Sequence, residues 1–217
     1  MKNYFKNLKI LKNGNVYLKN MEHDACGVGL IASTEGKKSR KIVEYGINAL
    51  KAVFHRGAVD ADGKTGDGAG IHLEIPSDFF SEKIEITGHS HDGSEICVGM
   101  IFLPRNNYEA QENARTLVES ELTKSNFNIY GWRQVPVNPK VLGEKANLTR
   151  PEITQVLFKH NNKNLNGKDL ERRLYESRRK IEKEAIKNAI DGFYICSLSS
   201  KSIIYKGMFL AESIAEF

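Results

Sequence analysis

Four apolar runs with the length and composition of β-strands constrain the fold of this chain most. They are EICVGMIFLP at 95–104, FNIYGWRQVPV at 127–137, EITQVLFKH at 152–160 and GFYICSLSSKSIIYKG at 192–207. The last run contains the turn sequence SSKS, which predicts a hairpin. Because strands occur in pairs as often as singly, with helices between them, the pattern favours an antiparallel, layered α+β domain over a doubly wound sheet.

Helical periodicity separates these runs. Three segments place apolar residues on one face: Val43, Ile47, Leu50 and Phe54; Ala114, Leu117, Val118 and Leu122; Leu170, Leu174, Ile181 and Ala185. Ser39 is a candidate N-cap for the first helix. Two further strands are predicted, IHLEI at 71–75 and the buried run CGVGLIAS at 26–33, and PSDFF opens a short helix or turn.

Composition excludes several classes of protein. The chain has 217 residues, 40% hydrophobic and 27% charged, which is ordinary for a globular domain. No apolar run is long enough to span a membrane. The net charge of +5 is concentrated in residues 1–19 and 159–187. Since neither region contains a recognised nucleic-acid-binding module, we expect solvated faces rather than a nucleic-acid partner.

The three cysteines, Cys26, Cys97 and Cys196, are far apart in sequence. An odd number without CxxC spacing excludes a patterned metal site and disfavours a disulfide framework, so the cytoplasm is the expected compartment. The basic N-terminus lacks the apolar core of a secretory signal, whereas an organellar location stays open. Cys97 and Cys196 lie inside apolar strands and are expected to be inert core residues.

Cys26 differs from the other two cysteines because two glycines closely follow it in the sequence. A free cysteine is most often a buried structural residue. Gly27 and Gly29, however, would let a ligand or a second backbone approach closely. Residues 1–25 form a polar leader with little core potential. If the chain were cut before Cys26, the free α-amine could act as a general base for its thiol.

The stretch HRGAVDADGKTGDGAG at 55–70 is the second candidate site. Its spacing does not match the phosphate-binding pattern GxxxxGK[ST]. His55, Arg56 and Gly57 directly follow the first predicted helix, and an arginine fixed at a helix end suits bidentate binding of a carboxylate. Asp62 and Asp67 could ligate a cation, but the glycine-rich setting favours turn and cap roles, and we predict no metal site.

Several long motifs carry a resemblance to a known family. They are ACGVGLIA, ALKAVFHRGAVDADGKTGDGAGIHLEIPSDFF, YGWRQVPVNPKVLGEKA, PEITQVLF and YICSLSSKSIIYKGM, in this order. Together they resemble the N-terminal glutaminase domain of the glutamate synthase large subunit, a class II glutamine amidotransferase. The similarity runs from about Tyr17 to Met208. Other class II amidotransferases share mainly CGxxG and HRG.

The resemblance implies the N-terminal nucleophile hydrolase fold, a four-layer αββα sandwich, here incomplete. It makes residues 1–25 a propeptide and residues 26–217 the N-terminal part of the amidotransferase domain. Cys26 would attack the side-chain amide of L-glutamine, with its own α-amine as base and acid. Arg56 would hold the α-carboxylate of glutamine. Gly27, His55 and Gly57 would form the supporting loop.

The resemblance also implies what the full-length protein would add. Ammonia would pass to a separate domain and react with 2-oxoglutarate, using FMN and an iron–sulfur cluster, and a small electron-donating subunit is a possible partner. No cofactor is expected in the present segment. The Asn-Gly pairs at Asn13 and Asn166 are not assigned to an oxyanion hole, so this chain alone is expected to be nearly inactive. Two alternatives stay open: another class II amidotransferase, and an inactive domain that only binds a partner.

Overall fold

The computed structural model describes residues 2–13 and 26–217. Its helices are α1 (Lys2–Asn13), α2 (Arg40–Ala52), α3 (Ser77–Ile86), α4 (Tyr108–Lys124), α5 (Glu144–Thr149) and α6 (Gly167–Lys187). Its strands are β1 (Ala69–Glu74), β2 (Cys97–Leu103), β3 (Phe127–Gln134), β4 (Glu152–His160), β5 (Tyr194–Ser199) and β6 (Ser202–Gly207). Within these ranges, no helix is long and apolar enough to cross a bilayer.

The described strands form two antiparallel sheets. One has four strands in the order β3-β4-β2-β5, and the other pairs β1 with β6. The mixed α+β class and the antiparallel pairing are therefore confirmed. β2 is central, and its Gly99 is required because a Cβ there would lie 2.6 Å from Val156 Cγ1 and 2.8 Å from Leu198 Cδ1.

The four-stranded sheet is covered on both faces. Helices α4 and α6 pack against one face around Ile101, Leu122 and Leu174, all fully buried. Helix α3 and the β1–β6 pair pack against the other face, around Phe80 and Met100. Full burial of each such side chain contributes roughly 1.5–3 kcal/mol. Helix α2 contacts β1, so it lies beside the smaller sheet.

The predicted hairpin at 192–207 is wrong. β5 pairs with β2, whereas β6 pairs with β1, so the chain crosses between sheets at SSKS. The hydroxyl of Ser199 accepts hydrogen bonds from the N–H groups of Lys201 (3.0 Å) and Ser202 (3.2 Å). The carbonyl of Lys201 accepts from the N–H of Ile75 at the end of β1. These bonds replace the cross-strand pairs of a hairpin and redirect the chain.

The predicted buried strand at 26–33 is also wrong. The segment has no regular secondary structure, and the side chains of Val28 and Leu30 are 91% and 89% exposed. An apolar run becomes a strand only where a neighbouring strand satisfies its backbone groups. Among the described residues this run has no ladder partner. A Cβ at Gly29 would meet no atom within 4 Å, so the close approach predicted there is absent as well.

Candidate active site

Cys26 is the first residue described after the gap at 14–25. It is exposed, in a segment without regular secondary structure, and it is a free thiol. Gly27 beside it is exposed too. Within the described part of the chain, no hydrogen bond or ion pair joins Cys26 to His55. The thiol is therefore accessible, as a nucleophile must be.

His55 and Arg56 lie in a short 3₁₀ helix, Phe54–Arg56, that continues from α2. Helix α2 confirms the predicted amphipathic helix, and Ser39 is its N-cap residue by position, although its side chain makes no capping bond. His55 is exposed and its ring meets that of Phe54 edge-on, with centroids 6.0 Å apart. The side chain of Arg56 lies outside the described structure. Its backbone is fixed at the end of this helix, as predicted.

Residues 57–68, which we call the 57–68 loop, leave this helix and return to β1. The N–H of Gly57 donates to the carbonyl of Phe54 at 3.0 Å, and the N–H of Asp67 donates to the carbonyl of Ala58 at 3.3 Å. Val59 and Gly66 form an antiparallel bridge. The loop is thus a narrow hairpin whose base adjoins Arg56.

Two glycines allow this loop to bend and pack. Gly63, at its tip, has φ of +69°, the left-handed region that other residues enter at a cost. Gly66 lies against the C-terminal segment, where a Cβ would stand 2.6 Å from the carbonyl oxygen of Phe209. The glycine density of this stretch therefore reflects backbone geometry and close packing.

Comparison with known proteins identifies the family. The model for class-II glutamine amidotransferases matches residues 26–217. The chain belongs to this family. The matched region begins at Cys26 and includes the 57–68 loop.

Named relatives of this amidotransferase domain come from bacteria and plants. It is 54% identical to the glutamate synthase [NADPH] large chain of Azospirillum brasilense over 97% of its length. It is 39% identical to ferredoxin-dependent glutamate synthase 2 of Synechocystis sp. and to the chloroplastic ferredoxin-dependent glutamate synthase of Oryza sativa subsp. japonica, in each case over 90% of its length. The chain spans 12–14% of the length of these relatives.

The carboxylate of Asp62 accepts three hydrogen bonds within the 57–68 loop of the amidotransferase domain. Its Oδ1 accepts from the N–H groups of Lys64 (2.9 Å) and Thr65 (2.7 Å), and its Oδ2 accepts from the Thr65 hydroxyl at 2.6 Å. The Thr65 side-chain bond, followed by these backbone bonds, holds the pKa of Asp62 well below its ordinary value. The turn role predicted for Asp62 is confirmed.

The loop tip is joined to α5, a helix that the sequence did not predict. The N–H of Ala146 donates to the hydroxyl oxygen of Thr65 at 3.5 Å, and the N–H of Glu144 makes a smaller contribution to the lowered pKa of Asp62. The Nζ of Lys145 lies 2.6 Å from Oδ2 of Asp60, which lowers the pKa of Asp60 and raises that of Lys145. One backbone N–H in the first turn of this six-residue helix therefore has its partner far away in the sequence.

Asp62 and Asp67 are the candidate cation ligands of this loop. Among residues 2–13 and 26–217, no group of three or more His, Cys, Asp or Glu side chains is placed to hold a metal ion. Both oxygens of Asp62 are already occupied by hydrogen bonds within the loop.

The remaining cysteines are core residues, as predicted. Cys97 is fully buried in β2 and Cys196 is 3% exposed in β5. Burial raises the pKa of both thiols, strongly for Cys97. Asn166 is the N-cap residue of α6 by position and Gly167 has φ of +57°, so the turn and cap interpretation of this Asn-Gly pair is confirmed.

An apolar cavity of about 270 Å³ lies between the two sheets. It is bounded by α2, β1, β2, β6 and the C-terminal segment, and Phe217 forms part of its wall. Leu73 of the smaller sheet and Met100 of the larger sheet both line it.

Proposed function

We propose that this chain is the glutaminase part of a glutamate synthase, which hydrolyses L-glutamine to glutamate and ammonia with Cys26 as its nucleophile. The observation that carries the proposal is the family match, because it begins at Cys26. The relatives named as glutamate synthases support the specific activity within that family. Residues 1–25 are, in this proposal, a propeptide that is removed.

Removal of the propeptide supplies the general base. The α-amine of Cys26 takes the thiol proton, and the thiolate forms a bond to the side-chain amide carbon of glutamine. The protonated amine then gives the proton to the leaving nitrogen, the C–N bond breaks, and ammonia departs, leaving a thioester on Cys26. Water attacks the thioester with its proton passing to the same amine. Glutamate leaves and the thiol is restored.

Arg56 binds the α-carboxylate of glutamine in this scheme. A guanidinium presents paired N–H donors that match the two oxygens of a carboxylate. The end of a 3₁₀ helix and the hydrogen-bonded base of the 57–68 loop fix its backbone. Gly27, His55 and Gly57 are proposed to shape the backbone around the substrate, and the exposure of all three leaves room for a ligand.

We also assign the domain to the N-terminal nucleophile fold, a four-layer αββα sandwich. The support is the packing order of the described elements, with α4 and α6 on the larger sheet, the β1–β6 pair on its other face, and α2 beside β1. The free edge of β1 would accommodate the run 26–33 once Cys26 becomes the N-terminus.

The full-length protein is proposed to pass ammonia to 2-oxoglutarate in another domain, with FMN and an iron–sulfur cluster and a small subunit as electron donor. The described residues do not fit the cluster, since they offer no ligand group and both Cys97 and Cys196 are buried. Those groups belong to the remaining domains of the large subunit. The cytoplasm suits a free catalytic thiol, and a chloroplast is the alternative given by one relative.

Product stoichiometry of the full-length protein tests this function. With glutamine, 2-oxoglutarate and a reductant, we expect two glutamates for each glutamine consumed. With glutamine alone, we expect one glutamate and one ammonia. Transfer of the amide nitrogen to a sugar phosphate or phosphoribosyl acceptor, with no dependence on 2-oxoglutarate, would assign the chain to another class II amidotransferase.

A further inference from the structure

We propose that Asp62 is a positioning residue for the glutamine site, because its carboxylate fixes the loop that follows Arg56 to helix α5. The inference rests on the function proposed above. We call Asp62, Thr65 and their contacts to α5 the Asp62 anchor. The Asp62 anchor would influence the affinity for glutamine by positioning Arg56, without contacting glutamine or Cys26.

The anchor depends on an ionised carboxylate. Both oxygens of Asp62 accept hydrogen bonds, and no donor on the Asp62 side chain is needed. Because the pKa of Asp62 is lowered, the carboxylate is charged at neutral pH and the anchor weakens only as the pH falls below the ordinary aspartate range. An asparagine would replace one acceptor by an NH₂ donor and lose the bond to the Thr65 hydroxyl or to the backbone N–H groups.

Thr65 extends the anchor to the rest of the domain. Its hydroxyl donates to Asp62 and accepts from the N–H of Ala146, and the residue is 4% exposed. Gly143 permits this approach, since a Cβ there would overlap with the Thr65 hydroxyl and the Asp62 carboxylate. The Asp62 carboxylate, the buried Thr65 hydroxyl and the lack of a Cβ at Gly143 therefore all contribute to one contact. This contact joins segments about 80 residues apart in the sequence.

The anchor reaches Arg56 through the hairpin of the 57–68 loop. The carbonyl of Thr65 accepts from the N–H of Asp60 at 2.9 Å, and the Val59–Gly66 bridge follows. At the base, Oδ1 of Asp67 would be 3.3 Å from a Cβ at Gly57, the residue after Arg56. A hairpin held at its tip by α5 and at its base by the 3₁₀ helix gives Arg56 a fixed place. Small displacements of a binding group can cost up to about 10²-fold.

Residues 57–64 lie outside the hydrophobic core, whereas Thr65 is buried beside Ala146, which belongs to a small cluster with Leu142 and Phe209 that is separate from the clusters on the larger sheet. Val59 is 56% exposed, and none of residues 57–64 is buried. Losing the anchor is therefore expected to free the loop while the sheets and their helices stay folded. This separates a positioning role from a general loss of stability.

The test uses the full-length enzyme and compares Asp62→Asn with Asp78→Asn, which removes an exposed aspartate from the first turn of α3. We expect Asp62→Asn to raise the KM for glutamine about tenfold or more and to change kcat by less than about threefold. Thr65→Ser, which keeps the hydroxyl, is expected to stay near the wild-type KM. Asp78→Asn should have the wild-type KM for glutamine. The rate of glutamate synthesis from added ammonia should be the same in all variants if each is folded.

A second measurement follows the loop directly. We expect tryptic cleavage after Lys64 to be at least about tenfold faster in Asp62→Asn than in the wild type, since the backbone N–H of Lys64 is no longer held. Faster cleavage with an unchanged KM would overturn the positioning role, and so would unchanged values of both. If the wild type itself does not hydrolyse glutamine, the proposed function fails instead, and the cleavage rates still report on the anchor.

Discussion

The Cys26→Ala variant of the full-length protein is expected to hydrolyse glutamine at least about 10³-fold more slowly than the wild type. Alanine removes the only atom that forms the thioester bond, and no other described cysteine can replace it because Cys97 and Cys196 are buried. Synthesis of glutamate from added ammonia should continue, since it bypasses the thioester. The measurement is the rate of glutamate formation from glutamine alone, beside the ammonia-dependent rate.

Cys196→Ala is the matched control for this variant. It removes a thiol of the same domain that lies in the core and donates a hydrogen bond to the carbonyl of Ile204 at 3.5 Å. We expect its glutaminase rate per folded molecule to stay within about twofold of the wild type. A Cys26→Ala enzyme with substantial glutaminase activity, or a Cys196→Ala enzyme without it, would contradict the assignment of the nucleophile.

Arg56→Ala is expected to lower kcat/KM for glutamine about 10²- to 10³-fold, because it removes one partner of a charge-assisted pair with the substrate carboxylate. Arg56→Lys should recover only part of the loss, since an ammonium cannot make the paired hydrogen bonds of a guanidinium. Most of the effect is expected in KM, because the α-carboxylate does not change during the reaction. Steady-state kinetics with glutamine measures both constants.

Arg172→Ala is the control for removing one arginine, since Arg172 lies on the exposed face of α6 without a described partner. Its kinetic constants should be those of the wild type. Substrate analogues sharpen the comparison: an analogue whose α-carboxylate is amidated should bind equally weakly to wild type and Arg56→Ala. If Arg56→Ala still bound glutamine much more tightly than the amidated analogue, another residue would bind the α-carboxylate.

Periodicity predicted those parts of the fold in which local pattern and burial agree. Helices α4 and α6 have the predicted apolar faces, including Val118, Leu122 and Leu174, and strands β2 and β4 are buried along almost their whole length. In these elements each side chain packs against the neighbour that the pattern requires. The class of fold followed from such elements alone.

Features that depend on distant partners were not predictable in the same way. Helix α5 is joined to Thr65, some 80 residues earlier, through the N–H of Ala146, and nothing in its own six residues indicates this contact. The crossing between β5 and β6 was taken for a hairpin because serine and lysine suit either geometry. The pairing of β5 with β2 and of β6 with β1 distinguishes the two, and the hydroxyl bonds of Ser199 accompany the crossing.

In the candidate site too, local features could be predicted from the sequence and features that depend on distant residues could not. The position of Arg56 at a helix end and the turn role of Asp62 could be predicted, since both are local. The anchor to α5 could not be predicted, because Gly143 gives no signal until its lack of a Cβ is seen against Thr65. The pairing of Cys26 with Arg56 around one substrate stays a prediction.

The mass of the N-terminus of the mature full-length protein tests the central claim most directly. The claim is that Cys26 acts as nucleophile with its own α-amine as base, which requires cleavage after Ala25. We predict that peptide mass spectrometry of active protein finds a chain beginning at Cys26 with a free amine. A protein that retains residues 1–25 and still hydrolyses glutamine at the full rate would contradict the mechanism.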